Sequence, residues 1–150
     1  VLSLMLRTCL LYLILNSFGG FLTALVLGAV FSLSRTAMLI PWTRLPAART
    51  GANSQVDASG KETSGLSVRF GAPDGKTLGL ALLYSIPAVA LLIVSAGVVP
   101  AATGIVIAIF TVMGILRLSQ HYVAGHTGDI LGATQQLSEL GLLIGLVWTM

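Results

Sequence analysis

The sequence predicts an all-α, polytopic integral membrane protein: a helical bundle with about five transmembrane helices in this chain. Of the 150 residues, 55% are hydrophobic, and the mean hydropathy is +0.95. Only 9% are charged, whereas soluble domains carry about 25%. So few charged side chains could not cover the surface of a water-soluble globule. Disorder is excluded as well, because it requires low hydrophobicity and high charge.

The first apolar run, residues 1–33, is too long for a single crossing. As one helix it would measure roughly 50 Å, against a hydrocarbon core of about 30 Å. The turn-forming residues at 16–20 (Asn-Ser-Phe-Gly-Gly) therefore predict a break. We expect a first helix over about 2–15 and a second over about 21–40, which Pro41 ends or kinks.

Three further spans follow in the second half of the chain. Residues 78–116 carry no formal charge and are long enough for two helices, with a tight turn at 97–100 and a kink at Pro87. A last span is predicted over 130–150. Small residues near one face of the penultimate helix indicate helix packing: Gly104, Ala108 and Thr111.

The polar segments predict the orientation. Residues 42–77 contain five basic side chains, and 117–129 are also polar, so the positive-inside rule places both on the cytoplasmic face. Residues 50–76 have the composition of a flexible loop. Because the basic residues lie beside apolar runs, they favour membrane orientation over nucleic-acid binding. We therefore expect one membrane domain, 1–150, with its polar chemistry on the cytoplasmic face.

The segment ahead of the last span is the strongest local signal for a site. Thr127 and Gly128 precede a helix, where backbone N–H groups can bind an anion. Asp129 could hold a divalent cation that bridges phosphate oxygens. The alternative is that Thr127 or Asp129 simply caps the helix, and spacing alone favours this reading.

Other polar residues each allow two interpretations. Glu139 shares a helix face with Gln135, and a carboxylate inside a span indicates either a polar site or a pair with a neighbouring helix. Arg35 and Arg44 are either phosphate ligands or topological anchors. Arg7 either snorkels to the cytoplasmic surface or faces a cytoplasmic anion site there.

Two motifs resemble a known family. The string Gly125-His126-Thr127-Gly128-Asp129-Ile130-Leu131-Gly132-Ala133, followed by Gln136 and Glu139, resembles the C-terminal signature of adenosylcobinamide-GDP ribazoletransferase, the cobalamin synthase. Leu33-Ser34-Arg35-Thr36-Ala37-Met38 and Arg44-Leu45-Pro46-Ala47-Ala48-Arg49 resemble its Ser-Arg helix end and the basic segment after it. The order of the motifs and the membrane pattern agree over essentially the whole chain, which resembles the C-terminal part of a longer enzyme.

The resemblance implies a transferase of cobalamin biosynthesis in the cytoplasmic membrane of a bacterium or archaeon. It would join adenosylcobinamide-GDP to α-ribazole, or to its 5′-phosphate, with release of GMP and with Mg²⁺ as cofactor. Asp129 and Glu139 would be catalytic, and Asp129 would also be the metal ligand. The substrate and its phosphates would contact Arg7, Arg35, Arg44, Thr127, Gly128 and Gln135. Besides the lipid bilayer, the expected partners are a second copy of this chain or other membrane proteins of that pathway. Nucleic acid is not expected as a partner.

Two other classes of function remain as alternatives. A transporter or permease fragment would share the kinked spans and the intramembrane carboxylate. A non-catalytic membrane scaffold would use Asp129 as a cap and Glu139 for helix association.

Overall fold

Four helices account for nearly all residues that the structure, a computed structural model, describes: 2–45, 74–122 and 127–149. They are α1 (Leu2–Arg44), α2 (Gly75–Ala96), α3 (Val98–Tyr122) and α4 (Gly128–Trp148). Each is long and apolar enough to cross a membrane by length and composition. The predicted all-α membrane bundle is confirmed. Most of the predicted 50–76 loop lies outside the described residues, but Gly75 and Lys76 already belong to α2.

Helix α1 is interrupted at Gly19, whose backbone is non-helical with φ 75° and ψ 172°. The Thr23 hydroxyl donates to the Gly19 carbonyl at 2.7 Å and lies only 3.4 Å from the Ile14 carbonyl oxygen, although nine residues of straight helix would separate Thr23 from Ile14 by about 14 Å. The chain therefore folds back at Gly19. We call residues 2–18 arm 1 and residues 20–44 arm 2. The predicted break is confirmed, and the two arms bring the number of helical segments among the described residues to five.

The turn between α2 and α3 is shorter than predicted. Only Gly97 is non-helical, with φ 97°, and its N–H donates to the Ile93 carbonyl at 2.9 Å. Val98 to Pro100 already form the first turn of α3. The expected four-residue turn was wrong because proline is tolerated in the first turn of a helix, where N–H groups lack intrahelical acceptors anyway.

Two other predicted boundaries also shift. Arm 2 does not end before Pro41 but continues to Arg44, and the Leu45 N–H still reaches the Pro41 carbonyl at 3.0 Å. A proline removes only its own N–H from the ladder, so the residues after it can continue the helix. Helix α4 begins at Gly128, two residues before the predicted Ile130. Helix α2 continues through Pro87.

Helices α3 and α4 cross where glycines let their backbones touch. A Cβ added to Gly145 would lie 2.5 Å from the Gly104 nitrogen, and one added to Gly104 would lie 2.9 Å from the Leu142 carbonyl oxygen. The Thr103 hydroxyl donates to the Gly145 carbonyl across this crossing at 2.9 Å. The predicted small-residue face of α3 is therefore confirmed as a packing surface. Its counterpart, the Gly141-x-x-x-Gly145 pattern of α4, was not predicted, although it is a known association motif.

Among the described residues, charge is confined to one end and to the middle of the bundle. We define the charged end by the C-terminus of arm 2 and the N-termini of α2 and α4. Within the described ranges, the charged side chains near this end are Arg44, Asp74, Lys76, Arg117 and Asp129, whereas Arg7, Arg35 and Glu139 lie deeper. The opposite end contains the Gly19 and Gly97 turns, and the described residues there are uncharged.

Candidate functional site: a polar cleft near the charged end

A polar cleft of about 560 Å³ opens between arm 2, α2 and α4. It brings together two predicted site residues, Arg35 and Gln135. The complete lining is Ser32, Arg35, Thr36, Met38, Leu39, Ala81, Tyr84 and Gln135. This volume lies within the range of about 300–1,000 Å³ that is usual for small-molecule sites.

The cleft lies inside the span, below the charged end. Arg35 lies nine residues before the end of arm 2, Tyr84 nine residues after the start of α2, and Gln135 seven residues after the start of α4. At 1.5 Å per residue, these positions lie about 11–14 Å from their helix ends. The three helices thus place polar groups at a common depth. Polar and ionisable side chains at this depth destabilise a membrane protein, so their presence usually indicates a functional site.

Arg35 is the cation of this cleft. Its side chain is exposed, and it forms no ion pair with any residue within the described ranges. An unpaired guanidinium presents a planar fork of N–H donors that matches phosphate oxygens. The cleft can therefore accept an anion without breaking an existing ion pair.

Arg7 and Glu139 form an ion pair deeper in the bundle. Arg7 Nη2 lies 2.9 Å from Glu139 Oε2, and the side chains are 34% and 3% exposed, respectively. Of the two readings of Glu139, the helix–helix pair is thus realised. Arg7 turns inward to this carboxylate and does not snorkel. The other carboxylate oxygen, Oε1, is buried and accepts no hydrogen bond from the described residues.

The Arg7–Glu139 ion pair lies one helical turn below the cleft, as the positions of the residues along the helices show. Arg7 lies 12 residues before Gly19 and Arg35 lies 16 residues after it, so along a straight helix they would be about 42 Å apart. Instead, Arg7 pairs with Glu139 of α4, and Arg35 lines the cleft together with Gln135, one turn earlier on α4. The 6 Å offset matches the four-residue difference between the two arms. The fold-back at Gly19 thus places both arginines along one face of α4.

Thr127 caps the start of α4, which is the interpretation that the sequence spacing favoured. Thr127 accepts a hydrogen bond from the Ile130 N–H at 3.4 Å, and Gly128 is the first helical residue. Asp129 is exposed in the first turn. At 100° per residue it lies about 120° around the helix from Gln135, and it does not line the cleft. Among the described residues, no three His, Cys, Asp or Glu side chains are grouped as metal ligands.

Arg44 is exposed in the last turn of arm 2 and lies outside the cleft lining. A cation at this position complements the helix dipole, which fits the anchoring interpretation. His126 and Arg49, both part of the family-like motifs, lie outside the described residues. Ser32 and Tyr84 line the cleft but were not predicted, because nothing in their local sequence relates α2 to arm 2.

Comparison with known proteins identifies the family. The sequence profile of cobalamin-5-phosphate synthase matches residues 1–147. This chain belongs to the cobalamin-5-phosphate synthase family. The transporter and scaffold alternatives are therefore not favoured.

Relatives of this cobalamin-5-phosphate synthase family member agree with that assignment. Three proteins named adenosylcobinamide-GDP ribazoletransferase are similar to it. The one from a Sinorhizobium species is 37% identical over 124 residues, covering 83% of this chain and 43% of its own length. Those from Rhizobium meliloti and Brucella anthropi are 33% and 34% identical, covering 87% and 95% of this chain and 44% and 50% of their own lengths. The chain thus spans about half the length of these relatives. No solved structure matches it.

Proposed function

We propose that the chain contributes to an adenosylcobinamide-GDP ribazoletransferase of the bacterial cytoplasmic membrane, with the cleft open toward the cytoplasm. The observation that carries this proposal is the cleft itself, in which Arg35 and Gln135 meet at one depth within a member of this family. The basic residues near the charged end support the cytoplasmic orientation.

The proposed reaction is a phosphoryl transfer to a hydroxyl. A hydroxyl oxygen of α-ribazole, or of its 5′-phosphate, forms a bond to the phosphorus attached to cobinamide. The bond from that phosphorus to the oxygen bridging to the guanosine-linked phosphate breaks, GMP leaves, and the hydroxyl proton passes to a base or to water. Such reactions depend mainly on positioning and on stabilisation of developing negative charge. The guanidinium of Arg35, which has no ion-pair partner among the described residues, can stabilise that negative charge.

The proposed substrate contacts are divided between the cleft and the charged end. Arg35 binds the diphosphate, and Gln135 donates to it or to the ribose. Glu139 remains the predicted catalytic carboxylate: its Oε1 accepts no hydrogen bond from the described residues, while Arg7 holds the other oxygen. Because Glu139 is buried one turn below the cleft lining, this role requires the cleft to open toward it. Arg44, Thr127 and Gly128 remain predicted phosphate contacts at the charged end.

Asp129 is the residue of this chain that we propose as a Mg²⁺ ligand. Mg²⁺ is commonly held by one or two carboxylates together with substrate phosphates, and Asp129 is an exposed carboxylate at the charged end. One carboxylate does not form a complete site, so the remaining ligands would come from substrate or from outside the described residues.

The test is a transfer assay with adenosylcobinamide-GDP and α-ribazole or its 5′-phosphate. It uses the chain in lipid nanodiscs and, where the gene encodes further residues, its full product. GMP and the corrinoid product are both quantified. Arg35→Gln should lower kcat/KM on the order of 10- to 150-fold, because a hydrogen bond to a charged group contributes about 1.5–3 kcal/mol. Arg117→Gln, an exposed arginine near the same end, is the matched control.

Absence of GMP release from the full product, or equal effects of the two arginine variants, would refute this assignment. For the metal, Asp129→Asn should shift the Mg²⁺ dependence of turnover to higher concentration. An unchanged Mg²⁺ titration would remove Asp129 from the proposal.

A further inference from the structure

We propose that the cleft binds a phosphorylated nucleoside, with Arg35 on its phosphate and the Tyr84 ring stacked on its base. This inference deepens the proposed function and rests on it for the identity of the nucleoside. It adds an aromatic subsite on α2 that neither the motifs nor the family assignment indicated.

Tyr84 has the position and exposure that stacking requires. It lines the cleft from α2, whereas Arg35 and Gln135 line it from arm 2 and α4. Its side chain is 77% exposed, so a face of the ring is open to a ligand. Aromatic rings bind the faces of nucleobases with little dependence on base identity, and the phenolic hydroxyl can serve as a donor or acceptor at the edge of the stack.

The remaining polar groups of the cleft suit a ribose phosphate with a base. The amide of Gln135 supplies both donors and an acceptor, which can pair with a base edge or a ribose hydroxyl. The Thr36 hydroxyl already donates to the Ser32 carbonyl at 3.2 Å, so its oxygen is left as an acceptor. A phosphate alone would use Arg35 but would leave the aromatic and amide walls without a ligand.

The size of the cleft sets which part of a large substrate can enter. At about 560 Å³ it suits a ligand of small-molecule size, but not a nucleoside together with a corrin ring. The nucleoside end would therefore lie in the cleft while the corrin ring stays outside. Guanosine phosphate and α-ribazole 5′-phosphate share the required chemistry, a planar base joined to a phosphate through ribose.

The competing explanation assigns both residues to lipid. Tyrosine is enriched where the apolar core meets the headgroups, and Arg35 could bind a lipid phosphate. In that case the ring contributes nothing to nucleotide affinity. The two explanations therefore differ in one measurable quantity, the dependence of binding on the base.

The experiment measures dissociation constants by isothermal titration calorimetry in phosphatidylcholine nanodiscs, with the full gene product where the gene encodes residues beyond this chain. The probes are GMP, α-ribazole 5′-phosphate and, as the probe without a base, ribose 5-phosphate. Tyr84→Leu removes the ring and Tyr84→Phe retains it. Tyr12→Leu is the matched control, because Tyr12 is 67% exposed on arm 1 and does not line the cleft.

We expect Tyr84→Leu to weaken binding of a nucleotide roughly 5- to 150-fold, the range for loss of one base stack. Tyr84→Phe and Tyr12→Leu should change it less than about threefold on the same scale. Ribose 5-phosphate should bind more weakly than the nucleotides and be insensitive to Tyr84→Leu. Whether GMP or α-ribazole 5′-phosphate shows the larger loss identifies which nucleoside occupies the cleft.

Three results would overturn the inference: no nucleotide binding, equal affinity for ribose 5-phosphate and the nucleotides, or equal effects of Tyr84→Leu and Tyr12→Leu. Repeating the titration in phosphatidylglycerol nanodiscs tests the lipid explanation, which predicts that nucleotide binding is lost there or never occurs. Ring-dependent nucleotide binding without GMP release in the transfer assay would refute the proposed function and leave this site standing. Transfer with no ring dependence would refute this site alone.

Discussion

Replacing Gly145 by alanine should separate helices α3 and α4. The added Cβ would lie 2.5 Å from the Gly104 nitrogen and 2.8 Å from the Thr103 carbonyl carbon. Both are backbone atoms, so no side-chain rotation can relieve the clash. The Gly104 Cα is nearer still, and ordinary contact begins at 3.4 Å, so the helices must move apart by roughly 1 Å at their crossing point.

The expected cost has two parts. Overpacking of a closely packed contact costs typically about 1–3 kcal/mol. The separation also stretches the hydrogen bond from Thr103 to the Gly145 carbonyl, now 2.9 Å, and such interhelical bonds average about 0.6 kcal/mol in membranes. Gly145→Ala should therefore lower the free energy of unfolding by about 2–4 kcal/mol relative to a glycine replaced without a clash.

Gly132 provides that reference on the same helix. It is exposed, and nothing lies within 4 Å of an added Cβ, so Gly132→Ala reports only the intrinsic gain of alanine in a helix. The assay is unfolding in mixed micelles by titration with sodium dodecyl sulfate, followed by circular dichroism. Equal stabilities of Gly145→Ala and Gly132→Ala would refute the close crossing on which this reasoning depends.

Three further stability predictions use the same assay. Arg7→Met should destabilise by about 3 kcal/mol because it leaves Glu139 buried without its cation, while the double variant Arg7→Met/Glu139→Leu should recover to within about 1 kcal/mol of wild type; a double variant no better than the single one would contradict this. Gly19→Ala should cost about 1–2 kcal/mol more than Gly20→Ala, because only Gly19 has a left-handed φ, +75°, and neither added Cβ meets an atom; equal costs would argue against the reversal there. Thr127→Ala should cost about 0.5–1 kcal/mol and Thr127→Ser almost nothing, since serine keeps the cap; equal losses from both would count against the cap.

The number and class of helices followed from hydropathy and length, but their boundaries did not. The break near Gly19 and the reversal at Gly97 were predictable because glycine there adopts conformations that other residues avoid. The prolines predicted helix boundaries less well. Pro41 lies within arm 2 and Pro100 in the first turn of α3, since a proline is compatible with helix wherever its missing N–H is not needed.

The site was predictable only in part. Arg35 and Gln135 were singled out by residue type, and the structure places them in one cleft. The pairing of Arg7 with Glu139 was not predictable, because it joins residues 132 positions apart through a fold-back whose register local sequence does not specify. Tyr84 was missed for a similar reason: its significance depends on which helices are neighbours.

The uncharged turns have a consequence for how the chain enters a bilayer. Arms 1 and 2 form one hairpin and α2 and α3 another, and each reverses at a glycine, within a short segment that has no charged residue. Each hairpin can therefore be inserted as a unit whose leading tip carries no ionised group across the hydrocarbon core, while Arg44, Lys76 and Arg117 stay behind on the side of entry. A single lysine introduced at residue 98, beside the second tip, would place a charge where insertion has to carry it through the membrane.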